Sequence, residues 1–411
     1  MRFYDSHFHA MTLAHPNILA FMQRIHWQAL LLASPLAPLA AFLGKKKIDR
    51  VMNLLSVMEN DIGGFFMLVE YCLKSQGTVQ DGKLIIGPGS YDTIVMTPLM
   101  MDFGDKNIRT ETFYKIPPQK PIKQQVEDVF NGIAAYCASE LVKVTKADGS
   151  DDYKVILRQS RPIFEIYPFL GLNTENYEDG PTVTRLLNKY FSGYRGCYDD
   201  FRANLGKFDG DLAAMGSNFF AGIKLYPPIG FDPWPDQSDK REKVEALYSF
   251  CCDKNIPVTT HCNDGGFVLV KDAEDFTNPA RWEQVLEKYP RLKLNFAHLG
   301  SQSKKDYFFI KRHDWRDRII ALMGRFPNVH ADISYVAQSD AYYQELKTLC
   351  NEHPILLERL LFGSDFMINL LDLESYNCYL ELFRDTGYLN IAEKESLCRV
   401  NAERFLWGET Q

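Results

Sequence analysis

The sequence predicts an α/β fold, a (β/α)8 barrel of parallel strands with helical and loop insertions in its N-terminal half. Three observations predict it. Eight short apolar runs are spread along the 411 residues, and most are continuous rather than alternating, as strands covered on both faces are. In the second half, helix-period segments separate these runs with short links, the pattern of right-handed parallel crossovers. The polar residues that interrupt the runs also recur at regular spacing. Lys224 to His261 is 37 residues, His261 to His298 is again 37, and His298 to Asp365 is 67, or two units. A barrel of ~250 residues in eight units gives about 31 residues per unit.

The expected strands, in order, are Phe3–His9, Ile94–Met101, Pro162–Gly171, Phe219–Tyr226, Pro257–His261, Leu292–His298, Val329–Ile333 and Leu360–Phe366. Helical periodicity places Lys240–Asp253 before the fifth, Pro279–Lys288 before the sixth, Arg316–Arg325 before the seventh and Ala341–Glu352 before the eighth. The first half is longer than three barrel units need. Its excess is read as insertions into one domain spanning 1–411, at about 14–90, 104–121, 147–160 and 173–211. Lys46–Met58 and Phe65–Lys74 read as helices within the first of these. Insertions after strands fall on the C-terminal face of a barrel, where they can cover a site; packing on the outside is the other reading.

Composition narrows the classes. With 46% hydrophobic and 24% charged residues, wholesale disorder is excluded. Lys and Arg total 46 against 53 Asp and Glu, a net charge of −7 without a long basic block, which argues against nucleic acid as a partner. The most apolar stretch, Ala29–Leu43, is interrupted by Pro35 and Pro38 and is shorter than the ~20 residues a membrane span needs. The opening residues have no apolar signal segment. The nine cysteines are odd in number and lack a Cys-x-x-Cys pair, so they read as reduced thiols in a cytoplasmic protein. The expected partner is a small-molecule substrate; a homo-oligomer is compatible with the chain, whose oligomeric state the sequence does not set.

The chemistry starts with His7-Phe8-His9. Residues two apart on a strand share a side, so two imidazoles at a strand end can bind one metal. Lys224 in Gly-Ile-Lys-Leu-Tyr, His261 in Val-Thr-Thr-His, His298 in Asn-Phe-Ala-His-Leu-Gly and Asp365 in Phe-Gly-Ser-Asp-Phe each stand at the end of an apolar run, where barrel enzymes place catalytic groups. Any one of them alone would read as a satisfied core polar residue; together they read as a metal site. Tyr226 shares the side of Lys224 and is a substrate-side candidate. Asn263 and Asp264, followed by Gly265-Gly266, are further substrate-binding candidates, their loop offering backbone N–H groups to an anion. Asp264 and Asp332 are candidates for a second carboxylate near the metal. Arg161 reads as a surface residue and Tyr335 as a substrate-side candidate. His15, His26, His313, His330 and His353 read as structural or solvated.

These signatures resemble the amidohydrolase superfamily, in particular the branch of metal-dependent lactone hydrolases and decarboxylases. They are Asp5-Ser6-His7-Phe8-His9, Gly222-Ile223-Lys224-Leu225-Tyr226-Pro227, His261, His298-Leu299-Gly300, Gly363-Ser364-Asp365-Phe366 and the closing Asn401-Ala402-Glu403-Arg404-Phe405-Leu406. The resemblance implies that His7, His9 and Asp365 hold a divalent metal, zinc being the expected ion. It implies that His261 is a further ligand to that ion or to a second one, and that His298 binds a second metal or polarises reacting groups. Lys224 stands where some members carry a carbamylated lysine bridging two metals. Imidazole and carboxylate donors suit zinc and leave a position open for water, and Asp365 is the general-base candidate. The implied activity is metal-dependent hydrolysis of an amide, lactone or ester; non-oxidative decarboxylation of an unsaturated or aromatic acid and a non-catalytic scaffold are the other readings.

Overall fold

The chain is an α/β protein with parallel sheets, described by a computed structural model over residues 1–16, 45–104, 121–303 and 312–408. Ala29–Leu43, His26 and nearly all of the 104–121 insertion lie outside the described residues. Each of the eight apolar runs yields regular strand. These are β1 (Arg2–Phe8), then, after a small antiparallel sheet of β2 (Val79–Gln80), β3 (Lys83–Ile86) and β4 (Gly89–Tyr91), β5 (Thr93–Pro98). A hairpin of β6 (Ser139–Thr145) and β7 (Asp151–Leu157) follows. Then come β8 (Phe164–Ile166), β9 (Phe169–Gly171), β10 (Gly222–Leu225), β11 (Val258–Thr260), β12 (Leu294–Phe296), β13 (Val329–Asp332) and β14 (Leu360–Leu361).

The ladders differ from the expected single closed sheet. They form two parallel sheets, one of three strands in the order β1-β5-β8 and one of six in the order β9-β10-β11-β12-β13-β14. Two local causes are visible. The run Pro162–Gly171 breaks between β8 and β9 at Pro168, which has no N–H to give to a ladder. The run Leu360–Phe366 leaves regular geometry after Leu361, where Asp365 takes φ +58°. Backbone hydrogen bonds nonetheless cross both seams: Met100 N–H donates to Phe169 O at 3.2 Å, and Ser6 N–H donates to Phe362 O at 2.9 Å.

The expected helices are present as α1 (Lys45–Glu59), α2 (Ile62–Ser75), α3 (Ser238–Lys254), α4 (Pro279–Lys288), α5 (Asp314–Arg325) and α6 (Asp340–Glu352). Pro279 opens α4 with Asn278 as its cap, accepting from Ala280 N–H. Helix α2 is apolar because both its position and its job are internal. Its Phe65 ring stacks on Phe366 at 5.8 Å and lies 5.8 Å from Phe8, so it braces the ends of the first and last strands. Its Glu70 pairs with Arg158 at 2.9 Å, beyond the end of β7, both groups being buried. None of the nine cysteines is paired. Among the described residues no helix is long and apolar enough to cross a membrane.

Candidate metal centre

The site lies where the first and last strands meet. Strand β1 places His7 and His9 on one side of the chain, and the Gly363-Ser364-Asp365 turn wraps the His7 carbonyl. The N–H groups of Ser364 and Asp365 both donate to it, at 3.1 and 2.8 Å. Gly363 is required there, since a Cβ would fall 2.6 Å from that of His7. Asp5, fully buried, holds the turn from below: its carboxylate accepts from Ser364 N–H at 2.9 Å and from the Tyr376 hydroxyl at 3.0 Å. Burial pushes its pKa up to about 6.

His7, His9 and Asp365 converge. His9 Nε2 lies 3.0 Å and His7 Nε2 3.3 Å from the same oxygen, Asp365 Oδ1, and all three groups are buried. The other nitrogen of each ring is already committed. His9 Nδ1 faces the Leu99 carbonyl at 3.0 Å and His7 Nδ1 faces Asp332 Oδ2 at 3.1 Å. A carbonyl and a carboxylate only accept, so both Nδ1 atoms carry the proton. Both Nε2 lone pairs then point at a carboxylate oxygen, an arrangement that calls for a cation, and buried His7 Nε2 has no hydrogen-bond partner among the described residues. The donor set of two imidazoles and a carboxylate therefore fits a divalent metal.

His298 and His261 extend the cluster. His298 Nδ1 faces the Ser334 carbonyl at 3.0 Å, and its Nε2 lies 3.3 Å from His261 Nδ1. His261 Nε2 faces Asn263 Oδ1 at 3.1 Å and the Gly265 carbonyl at 3.2 Å. If His261 donates to those oxygens, its Nδ1 and His298 Nε2 present two lone pairs to each other, a second point where positive charge is wanted. His298 approaches His7 and Asp332 closely, whereas His261 joins the cluster through His298 rather than through the His7–His9–Asp365 trio.

Electrostatics follow burial and charge. Burial alone would raise the Asp365 carboxyl, but the adjacent His7 and His9 rings hold it well below the usual carboxylate range. Asp332 is likewise held far down against its burial by His7 and His298. Burial lowers His9, lowers His298 to about 4 and lowers His261 strongly. For His7 burial is outweighed by the charge of Asp332, and its pKa is raised. Lys224 is fully buried with no hydrogen-bond partner at Nζ among the described residues, and burial lowers it to about 8 against the pull of Asp332 and Asp365.

A small cavity, about 20 Å³, opens onto His9, His261, His298 and Asp365, with Tyr226 and Asn263 also in its wall. The Tyr226 ring lies 4.6 Å from that of His261, and its hydroxyl accepts from Phe267 N–H at 2.9 Å. Gly266, at φ +106°, permits this closeness: a Cβ would stand 2.5 Å from the Tyr226 hydroxyl. Asp264 is turned away, accepting from the N–H and hydroxyl of Ser303, each at 2.8 Å. Arg161 extends outward. Tyr335 hydrogen-bonds Asp372 and its ring lies 6.4 Å from His298. His15 bonds Asp128 at 2.7 Å. Sequence reasoning passed over Ser334 and Asn295 and gave Asp332 a minor part. Asn295 and Asp332 carry the same signal as the residues it chose, a polar side chain inside an apolar strand.

Residues 208–407, 200 of the 411, match the profile of the amidohydrolase family. No curated protein matches. Among solved structures, one described as a probable 2-pyrone-4,6-dicarboxylic acid hydrolase from Acinetobacter baumannii is 12% identical, covers 100% of each chain and has a TM-score of 0.48. An amidohydrolase from Burkholderia multivorans with bound zinc is 16% identical, covers 48% of this chain and 68% of its own, and has a TM-score of 0.33.

Proposed function

We propose that the protein is a metal-dependent hydrolase of a small amide, lactone or ester, its centre set at the mouth of a (β/α)8 barrel whose two arcs are the three- and six-stranded sheets. One observation carries the reading: two imidazole Nε2 atoms, each with its Nδ1–H already spent, meet on Asp365 Oδ1 at 3.0 and 3.3 Å. His7, His9 and Asp365 would hold the cation, with His298 and His261 positioned to complete or extend the set. Zinc is the ion this mixture of imidazole and carboxylate favours. Bound there, a divalent cation acidifies water and polarises a carbonyl.

The chain's own groups do the rest. Asp365, ionised across the neutral range, takes the proton of the attacking water through the oxygen not engaged by the imidazoles. The Tyr226 hydroxyl, which accepts from Phe267 N–H, borders the cavity and steadies oxygen charge developing on the substrate. His298, held neutral by burial, borders the same cavity. Lys224 supplies an amine behind the centre.

Metal analysis of purified protein and a lactone, ester and amide panel test this. His9→Ala and Asp365→Asn should each lower kcat/KM by at least a thousandfold, with circular dichroism unchanged. Hydrolysis is separated from decarboxylation by solvent ¹⁸O in the product rather than release of carbon dioxide. Wild-type rates in either variant would refute the mechanism.

A further inference from the structure

Strand β13 supplies none of the trio, yet its end and the turn after it touch both His7 and His298. Asp332 Oδ2 accepts from His7 Nδ1 at 3.1 Å and from Asn295 Nδ2 at 2.7 Å. Its Oδ1 accepts from the backbone N–H of His298 at 3.0 Å, from Ser334 N–H at 3.1 Å and from the Ser334 hydroxyl. That hydroxyl oxygen stands 2.9 Å from both His7 Nδ1 and His298 Nδ1, and the Ser334 carbonyl faces His298 Nδ1 at 3.0 Å. The arrows are forced. A carboxylate and a carbonyl cannot donate, so the hydroxyl gives its hydrogen to Asp332, and its lone pairs face the two rings. Both rings must then carry the proton on Nδ1.

We infer that Asp332 and Ser334 are positioning residues that lock His7 and His298 together in the Nδ1–H form, leaving both Nε2 lone pairs bare, that of His7 toward Asp365 and that of His298 toward His261. The device is set before any metal arrives, because every contact in it is between protein atoms. It also accounts for the backbone of His298, whose φ of +61° is held by the bond from its N–H to Asp332. Asn295 on the neighbouring strand steers the second carboxylate oxygen to His7. The effect on metal affinity rests on the hydrolase reading above; the proton positions do not.

The test is ¹⁵N-histidine NMR on metal-free protein, paired with zinc affinity from chelator competition. In the wild type, at a pH above the raised titration of His7, both His7 and His298 should show a protonated Nδ1 and a bare Nε2. Asp332→Asn puts an amide against His7, so His7 should lose its fixed proton position and zinc affinity should fall 10–100-fold, the usual effect of removing a ligand's outer partner. Ser334→Ala leaves His7 its carboxylate and His298 its carbonyl, so both proton positions should persist and affinity should fall less than tenfold. A bare Nδ1 on either ring of the wild type overturns the inference, and so does a folded Asp332→Asn protein binding zinc within threefold of wild type. Should Asp332→Asn not fold, the wild-type proton positions decide. Wild-type protein that binds no zinc would refute the hydrolase reading while the metal-free spectra still judge this one.

Discussion

His298, Tyr335 and Asp365 all hold positive φ, at +61°, +64° and +58°, and all three end strands beside the centre. Non-glycine residues in this region are strained by about 1–3 kcal/mol each and persist where their surroundings over-determine them; at His298 the bond to Asp332 does so, and at Asp365 the bond to the His7 carbonyl. His7, His9, His298 and Asp365 were legible in the sequence because each is a polar residue at the end of an apolar run. Proton positions were not, since they depend on Leu99, Asp332 and Ser334, which only folding brings near. His330 was legible as structural, and it is buried with Phe405 at 5.1 Å. Burial lowers its pKa from 6.5 to about 3. The unfolded chain therefore takes up this proton first: stability is full above pH 6.5 and is lost progressively as pH falls toward 3. At pH 5 the loss is about 2 kcal/mol. Denaturant titrations at pH 7 and pH 5 should show a loss about 2 kcal/mol smaller in His330→Gln than in wild type, the remainder coming from the other histidines that burial lowers.

At the scale of elements, every apolar run contains a strand, but beyond the first run the regular part is shorter than the run. Turn geometry at the site begins before the apolar residues end, as Leu361 to Phe366 shows. The β6–β7 hairpin went unread although its signs were present: alternating residues on both sides of Asp148-Gly149, with Gly149 at φ +83°. The Asp81-Gly82 turn between β2 and β3, with both residues at positive φ, was the same kind of sign. Helix α2 was foreseen, but not its part in holding the last strand. Because Phe65 stacks on Phe366, the neighbour of Asp365, Phe65→Ala should cost about 3–5 kcal/mol in denaturant unfolding. It should also weaken zinc binding without touching a ligand, which chelator competition would reveal.

For the whole molecule, the regular spacing announced the α/β class and the parallel order of β9 to β14, while the seams between the two sheets depend on single residues that no spacing reveals. The proposed cation sits on one seam and binds only the folded state. Zinc at a hundred times its dissociation constant should therefore add about 2.7 kcal/mol of stability. Thermal melts with zinc and with chelator should separate accordingly, and the separation should vanish in Asp365→Asn. That seam also sets an order of events in the life of the chain. Asp365 follows His9 by 356 residues, about 20–70 seconds of synthesis at 5–20 residues per second. Throughout that interval two imidazoles wait without their carboxylate, so loading belongs to the finished polypeptide, and a ribosome-bound fragment ending before Asp365 should emerge from a desalting column carrying no zinc.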